Sequence, residues 1–239
     1  MDESSKLSSD VSHLIGDMMT MQKQLAIKYE LTEKNNGFMV VDPSSWGNID
    51  DSYVQARIKA LYGYACEEFA EALQELDFLQ TNDVSPLDLY NQLRGKSFRV
   101  ELIDALHFII ELMLVADCSP TFIQQSHAFF SVHDVSNSID DEVGEYRIMD
   151  GSPSHYIQIR VKISQVIQRL GMVCHTLKNK PWKTTVTPTS IEELSQSIRE
   201  AWSNIAELFV YVGLTIEDIF NLYCGKNEIN RERQINEGK

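Results

Sequence analysis

The longest apolar region of the chain, Val100 to Ala116, contains three carboxylates: Glu101, Asp104 and Glu111. The segment is too charged for a membrane span, which needs about 20 predominantly apolar residues. It is too apolar for a solvated helix face. A buried carboxylate is costly unless it is paired or metal-bound, so a fold that accepts this segment must give its acids a partner. An earlier segment repeats the feature. Ala65-Cys66-Glu67-Glu68-Phe69-Ala70-Glu71-Ala72-Leu73 carries Glu68 and Glu71 at the same i, i+3 spacing as Glu101 and Asp104. That spacing puts each pair on one helix face, about a turn apart. Four such carboxylates facing one another repel, and their pKa values rise. A hard divalent cation resolves the repulsion. All-oxygen ligands suit Mg²⁺, which leaves positions for water and substrate phosphates. The plainer alternative for either pair is the polar edge of an amphipathic helix, and it is weakest for Glu101 and Asp104.

Helical signals run through the rest of the chain. Val11, Leu14, Ile15, Met18, Met21 and Leu25 form one stripe over residues 10–31, followed by a loop over 32–47 with Asn36-Gly37, Pro43 and Gly47. The Glu68 helix is expected over 50–79 and the Asp104 helix over 97–117. Ser85-Pro86 and Ser119-Pro120 are cap-then-proline signals that open short helices. Residues 132–155 gather Asp134, Asp140, Asp141, Glu142, Glu145 and Asp150, and read as an acidic insertion, with a hairpin from Tyr146 to Ile159. Helix is expected again over 156–178. Ser190 with Glu193, and Thr215 with Asp218, are caps for helices over 190–212 and 215–235, with Gly213 ending the former. With strand patterning nearly absent, the expected fold is all-α: a single domain over 1–239, built as a bundle of about 7–8 helices with the insertion at 132–155.

The net charge of −14 comes without a basic face, which excludes a general nucleic-acid binder. The four cysteines are far apart and form no CxxC pair, as expected of free thiols in a reducing cytosol. No basic stretch followed by an apolar one opens the chain, so no secretory signal is expected. The chain is therefore expected to be cytoplasmic, in the host cytoplasm if phage-encoded, without a membrane partner. Within this acidic protein, Lys226, Asn230 and Arg233 share a stripe near the C-terminus. An ammonium and a forked guanidinium suit polyphosphate. A basic helix terminus that favours the helix dipole is the alternative. Asp104-x-x-His107 also has the carboxylate-x-x-His spacing of di-iron bundles, although His107 reads more simply as a core histidine with a hydrogen-bond partner.

Three pieces in order carry a family resemblance. They are Met21-Gln22-Lys23-Gln24-Leu25; the acids Glu68-Phe69-Ala70-Glu71 and Glu101-Leu102-Ile103-Asp104 with His107-Phe108; and Tyr223-x-Gly225-Lys226-Asn227-x-x-Asn230-x-x-Arg233-Gln234. Together they resemble the all-α nucleoside triphosphate pyrophosphatases. Within these the chain is similar to the dimeric dUTPases and the shorter phage dCTP/dUTP pyrophosphatases, over residues 18–30, 60–115 and 205–236. The resemblance implies Mg²⁺-dependent hydrolysis of a pyrimidine dNTP, dUTP first, to the monophosphate and pyrophosphate. It implies that Glu68, Glu71, Glu101 and Asp104 hold Mg²⁺ and that Glu71 orients the attacking water. Lys226 and Arg233 would take phosphate oxygens, Asn230 would help position them, and Gln22 would read the pyrimidine edge. It also implies a homodimer.

The pattern departs from the family in two places. Ala26 stands where dimeric dUTPases carry asparagine, four residues after the glutamine, which keeps dCTP or a modified pyrimidine dNTP open as substrate. The family's Trp- and Lys-rich segment lies between its acid helices. Here Lys180-Pro181-Trp182-Lys183 follows both, and no role is carried over to it. The other class open to this chain is a non-catalytic helical interaction protein that kept the fold.

Overall fold

In the computed structural model, residues 3–37, 40–81, 96–118, 153–180, 184–185 and 187–237 are described, and among them six α-helices form and no strand. The helices are α1 Glu3–Asn35, α2 Ser52–Thr81, α3 Lys96–Val115, α4 Pro153–Thr176, α5 Ile191–Tyr211 and α6 Ile216–Glu237. The expected all-α class holds. Six helices stand against the expected 7–8. The two short ones, from Ser85 and Ser119, lie outside the described residues, as do Pro181-Trp182-Lys183 and the acidic segment up to residue 152.

The hairpin expected to reach Ile159 is corrected. Residues 153–159 belong to α4, with Pro153 as its first residue, where a missing N–H costs no helical bond. Tyr156, Ile159, Ile163, Val166, Leu170 and Val173 are all buried at helical spacing, and that period prevails over the turn signal at Asp150-Gly151. The two caps form as expected. The Ser190 hydroxyl accepts from the Glu193 N–H at 3.2 Å. The Asp218 N–H donates to Thr215 Oγ1 at 3.1 Å, and the Thr215 N–H to Asp218 Oδ2 at 3.2 Å. Gly213, at φ 71°, ends α5 in the left-handed region while the Leu214 N–H reaches back to the Phe209 carbonyl.

Packing of α2 on α3 is the most extensive in the molecule. α1 and α6 pack on each other and on α3, and α4 packs on α5 and α2. Ile58, Leu61, Phe69 and Leu76 of α2 meet Leu102, Leu106, Ile109 and Met113 of α3 in one continuous core. Each such side chain contributes about 1.5–3 kcal/mol by leaving water. Met18 is fully buried, and Met21 and Trp46 pack against the same core. The loop before α2 is pinned to the end of α3. The Gly47 N–H donates to the Val115 carbonyl at 2.9 Å, with Gly47 at φ 83° and only 3.0 Å between the place of a Cβ and Asp117 Cβ. No helix among the described residues is long and apolar enough to cross a membrane.

Candidate active site

Helices α1, α2, α3 and α6 each turn one stripe onto a shared cleft of about 330 Å³. From α1 come Gln22, Leu25, Tyr29 and Glu33; from α2 Arg57, Tyr64 and Glu68; from α3 Asp104, His107, Phe108 and Glu111; from α6 Lys226, Asn230 and Arg233. Within each helix the spacings combine threes and fours, the repeat that keeps side chains on one face. A second cavity of about 350 Å³ adjoins it, sharing Glu33, Arg57 and Tyr64.

At one end lie the acids. Carboxylate oxygens of Glu68, Glu71 and Glu101 all fall within 4.8 Å of one another. Burial first, and then the charges of Asp104, Glu71 and Glu101, push the Glu68 carboxyl up to about 7. Burial and Asp104 likewise raise Glu101. Three oxygen donors brought this close fit a hard divalent ion, which would remove the repulsion. Asp104, whose charge also acts on Glu68 and Glu101, is paired with Lys226, Oδ2 to Nζ 2.5 Å. Burial raises its carboxyl, while the Lys226 bond and the Lys226 and Arg233 charges oppose the rise. Asn230 and Arg233 follow Lys226 along the cleft, Arg233 at the exposed rim.

At the other end lies Gln22, 3% exposed. Its Nε2 donates to Glu111 Oε2 at 3.1 Å, and the Tyr223 hydroxyl donates to its Oε1 at 2.7 Å. Arg57 donates to Glu111 Oε1 from Nε (3.2 Å) and Nη2 (2.7 Å), and to both Glu33 oxygens from Nη1 (3.1 and 3.2 Å). Glu30 is buried behind this network, and that burial pushes its carboxyl up to about 7 against the opposing charge of Arg57. The His107 ring stacks on Tyr223, centroids 3.9 Å apart and planes within 6°. Its Nδ1 faces the Ile103 carbonyl at 2.9 Å. A carbonyl only accepts, so Nδ1 carries the proton and Nε2 is left as an acceptor. That Nε2 is buried without a hydrogen-bond partner among the described residues, and burial lowers the ring's pKa to about 4.

The cleft thus gathers every residue singled out from the sequence except Glu71 and Glu101, which meet Glu68 at its acid end. Ala26 is fully buried, and the neighbouring position that lines the cleft is Leu25. The sequence reading passed over Arg57, Glu33 and Glu30. It noted Glu111 only as a charge in an apolar run, although 104, 107 and 111 lie on one helical stripe.

A profile of the dUTPase family matches residues 89–237. The match contains Glu101, Asp104, His107, Glu111 and the whole Tyr223–Gln234 signature, and it runs through residues 116–204, which carry none of the quoted motifs. Gln22, Glu68 and Glu71 precede it. No curated protein and no solved structure matches the chain. With well over half of its length inside that profile, the chain belongs to the all-α dimeric dUTPase family and is a nucleoside triphosphate pyrophosphatase of the dUTP diphosphatase-like class.

Proposed function

We propose that the protein hydrolyses dUTP to dUMP and pyrophosphate in a Mg²⁺-dependent reaction, as a homodimer. The observation that carries this reading is a single cleft with a carboxylate trio at one end, a buried amide at the other, and Lys226, Asn230 and Arg233 alongside. A pyrimidine nucleotide lies along it with its base toward Gln22 and its phosphates toward the acids.

Glu68, Glu71, Glu101 and Asp104 would hold the metal, which supplies Lewis-acid polarisation of phosphate oxygens and offsets charge on the leaving pyrophosphate. Glu71, exposed at the cleft's edge, orients the attacking water and takes its proton. Lys226, steadied by Asp104, and Arg233 at the rim bind phosphate oxygens through charge-assisted hydrogen bonds. Asn230, between them on the same stripe, positions the chain of phosphates. Gln22 offers the base one donor and one acceptor, and the His107 Nε2 offers an acceptor. Exposed Ile27, Leu31, Ile229 and Ile235 on the packed pair α1 and α6 provide apolar surface for a second copy.

The test is pyrophosphate release from a panel of dNTPs, with Mg²⁺ and with EDTA. Release from dUTP that EDTA abolishes supports the reading. Preference for dCTP or a modified pyrimidine dNTP moves the base assignment. No release from any nucleotide leaves a binding protein that kept the fold.

A further inference from the structure

The Gln22 amide is engaged at both ends before any ligand arrives, and its two partners are not interchangeable. Glu111 receives the Nε2 proton, and Tyr223 donates to Oε1, with all three side chains buried. An ionised carboxylate accepts and cannot donate. Burial raises the Glu111 carboxyl, and the charge and two hydrogen bonds of Arg57, made to its other oxygen, oppose that rise and favour the ionised form. Turning the amide over would set Gln22 Oε1 against Glu111 Oε2, acceptor against acceptor, between two buried side chains. The amide therefore has one orientation. It keeps one N–H and one lone pair for the cleft, in a fixed order.

That order matters for pyrimidines. Uracil presents an N3–H donor beside the O4 acceptor, and cytosine an N3 acceptor beside the N4 amino donor. A freely turning amide pairs with either edge. A held amide pairs with one and opposes the other, donor to donor and acceptor to acceptor. We infer that Glu111 and Tyr223 are positioning residues that hold the Gln22 amide in one donor–acceptor order, which with dUTP as the substrate is the order matching a uracil-type edge, and that this hold makes the cleft reject cytosine-type nucleotides. The inference rests on the reading above that Gln22 faces the base.

The experiment compares kcat/KM for dUTP and dCTP in the wild type, Glu111→Gln and Tyr223→Phe, with folding followed by thermal melting. A glutamine at 111 presents either an oxygen or an amide nitrogen, so Gln22 is freed to turn. Phenylalanine at 223 keeps the ring against His107 and removes only the hydroxyl. The expected result is a wild type that favours dUTP, and a dUTP/dCTP ratio that falls about tenfold or more in Glu111→Gln, the worth of one mismatched buried hydrogen bond, and less in Tyr223→Phe, where Glu111 still orders the amide. Loss of packing alone would lower both values in parallel. A ratio unchanged in the folded variants overturns the inference, as does a wild type that turns over both nucleotides equally. If Glu111→Gln fails to fold because Arg57 loses a partner, the double variant Arg57→Gln with Glu111→Gln decides.

Calorimetric binding of dUMP and dCMP to the same proteins separates this inference from the pyrophosphatase reading. Selective dUMP binding that the variants lose, without turnover of any triphosphate, keeps the hold and sinks the activity. Turnover with an unaltered ratio does the reverse.

Discussion

Glu111 is almost fully buried and meets Arg57 through one oxygen and Gln22 through the other, while at the opposite end of the same cleft Glu68 has three carboxylates for near neighbours. The two ends are built from the same helices and the same residue type. At the base end the acids facing the cleft are answered inside the protein: Arg57 lies between Glu33 and Glu111, and Tyr223 closes the row on Gln22. At the acid end the cation in direct contact among the described residues is Lys226, and it is held by Asp104. The contrast separates a surface whose hydrogen bonds are already made from one left short of positive charge, which on the proposed function a divalent ion would supply. Substitutions at the acid end should therefore abolish chemistry without unfolding the protein, and those at the base end should change stability or selectivity.

The sharpest break comes from Glu71→Gln. The side chain is exposed, so the fold loses little. Removing the group that takes the proton should cut pyrophosphate release by about 10²–10⁴-fold, the range for losing a general base. Steady-state assays with Mg²⁺, beside a melting curve that stays in place, check this. Near-normal turnover would move the chemistry away from the trio and leave the acid end a merely crowded surface.

This division also explains what the sequence made legible. Everything at the acid end could be read from short spacings: Glu68 with Glu71, Glu101 with Asp104, and Lys226, Asn230 and Arg233 along one stripe. The caps at Ser190 and Thr215 were readable for the same reason, since their bonds span three residues. The base end is made of contacts between distant positions. Gln22 and Glu111 are 89 residues apart, Arg57 and Glu111 are 54 apart, and Tyr223 reaches Gln22 across 201. No local period announces them, and no short motif singles out Arg57 or Glu33. The Asp104–Lys226 pair was hidden likewise, because each partner was legible in its own helix but not the bond between them. Ala26 is buried, and the neighbouring residue that lines the cleft is Leu25.

Arg233→Ala sharpens the comparison from the rim. If Arg233 serves the phosphate half of the cleft alone, its loss should raise KM for the triphosphate by about tenfold or more, the worth of a charge-assisted hydrogen bond. Binding of the monophosphate should be nearly unchanged. Titrating both ligands into the same variant gives the answer. Equal weakening of both would place Arg233 on the sugar or the base and blur the boundary between the two ends.

The smallest effect belongs to Glu30, behind the base end. Its carboxyl holds a proton up to about pH 7 in the folded protein, against an ordinary value of 4.5, chiefly because it is buried. Between those two values the folded state carries more protons than the unfolded state, so stability falls as pH rises across that window. The loss attributable to one such group is on the order of 1 kcal/mol. Glu30→Gln keeps the shape and removes the titration. Its melting temperature should vary less than the wild type's between pH 4.5 and 7, with the difference greatest at the upper end, where the wild-type carboxyl ionises in its apolar surroundings. Parallel profiles would mean that Arg57 already shares its charge with Glu30 as fully as with Glu33 and Glu111. The base end would then be more completely neutralised than the burial of Glu30 implies, and its contrast with the acid end larger still.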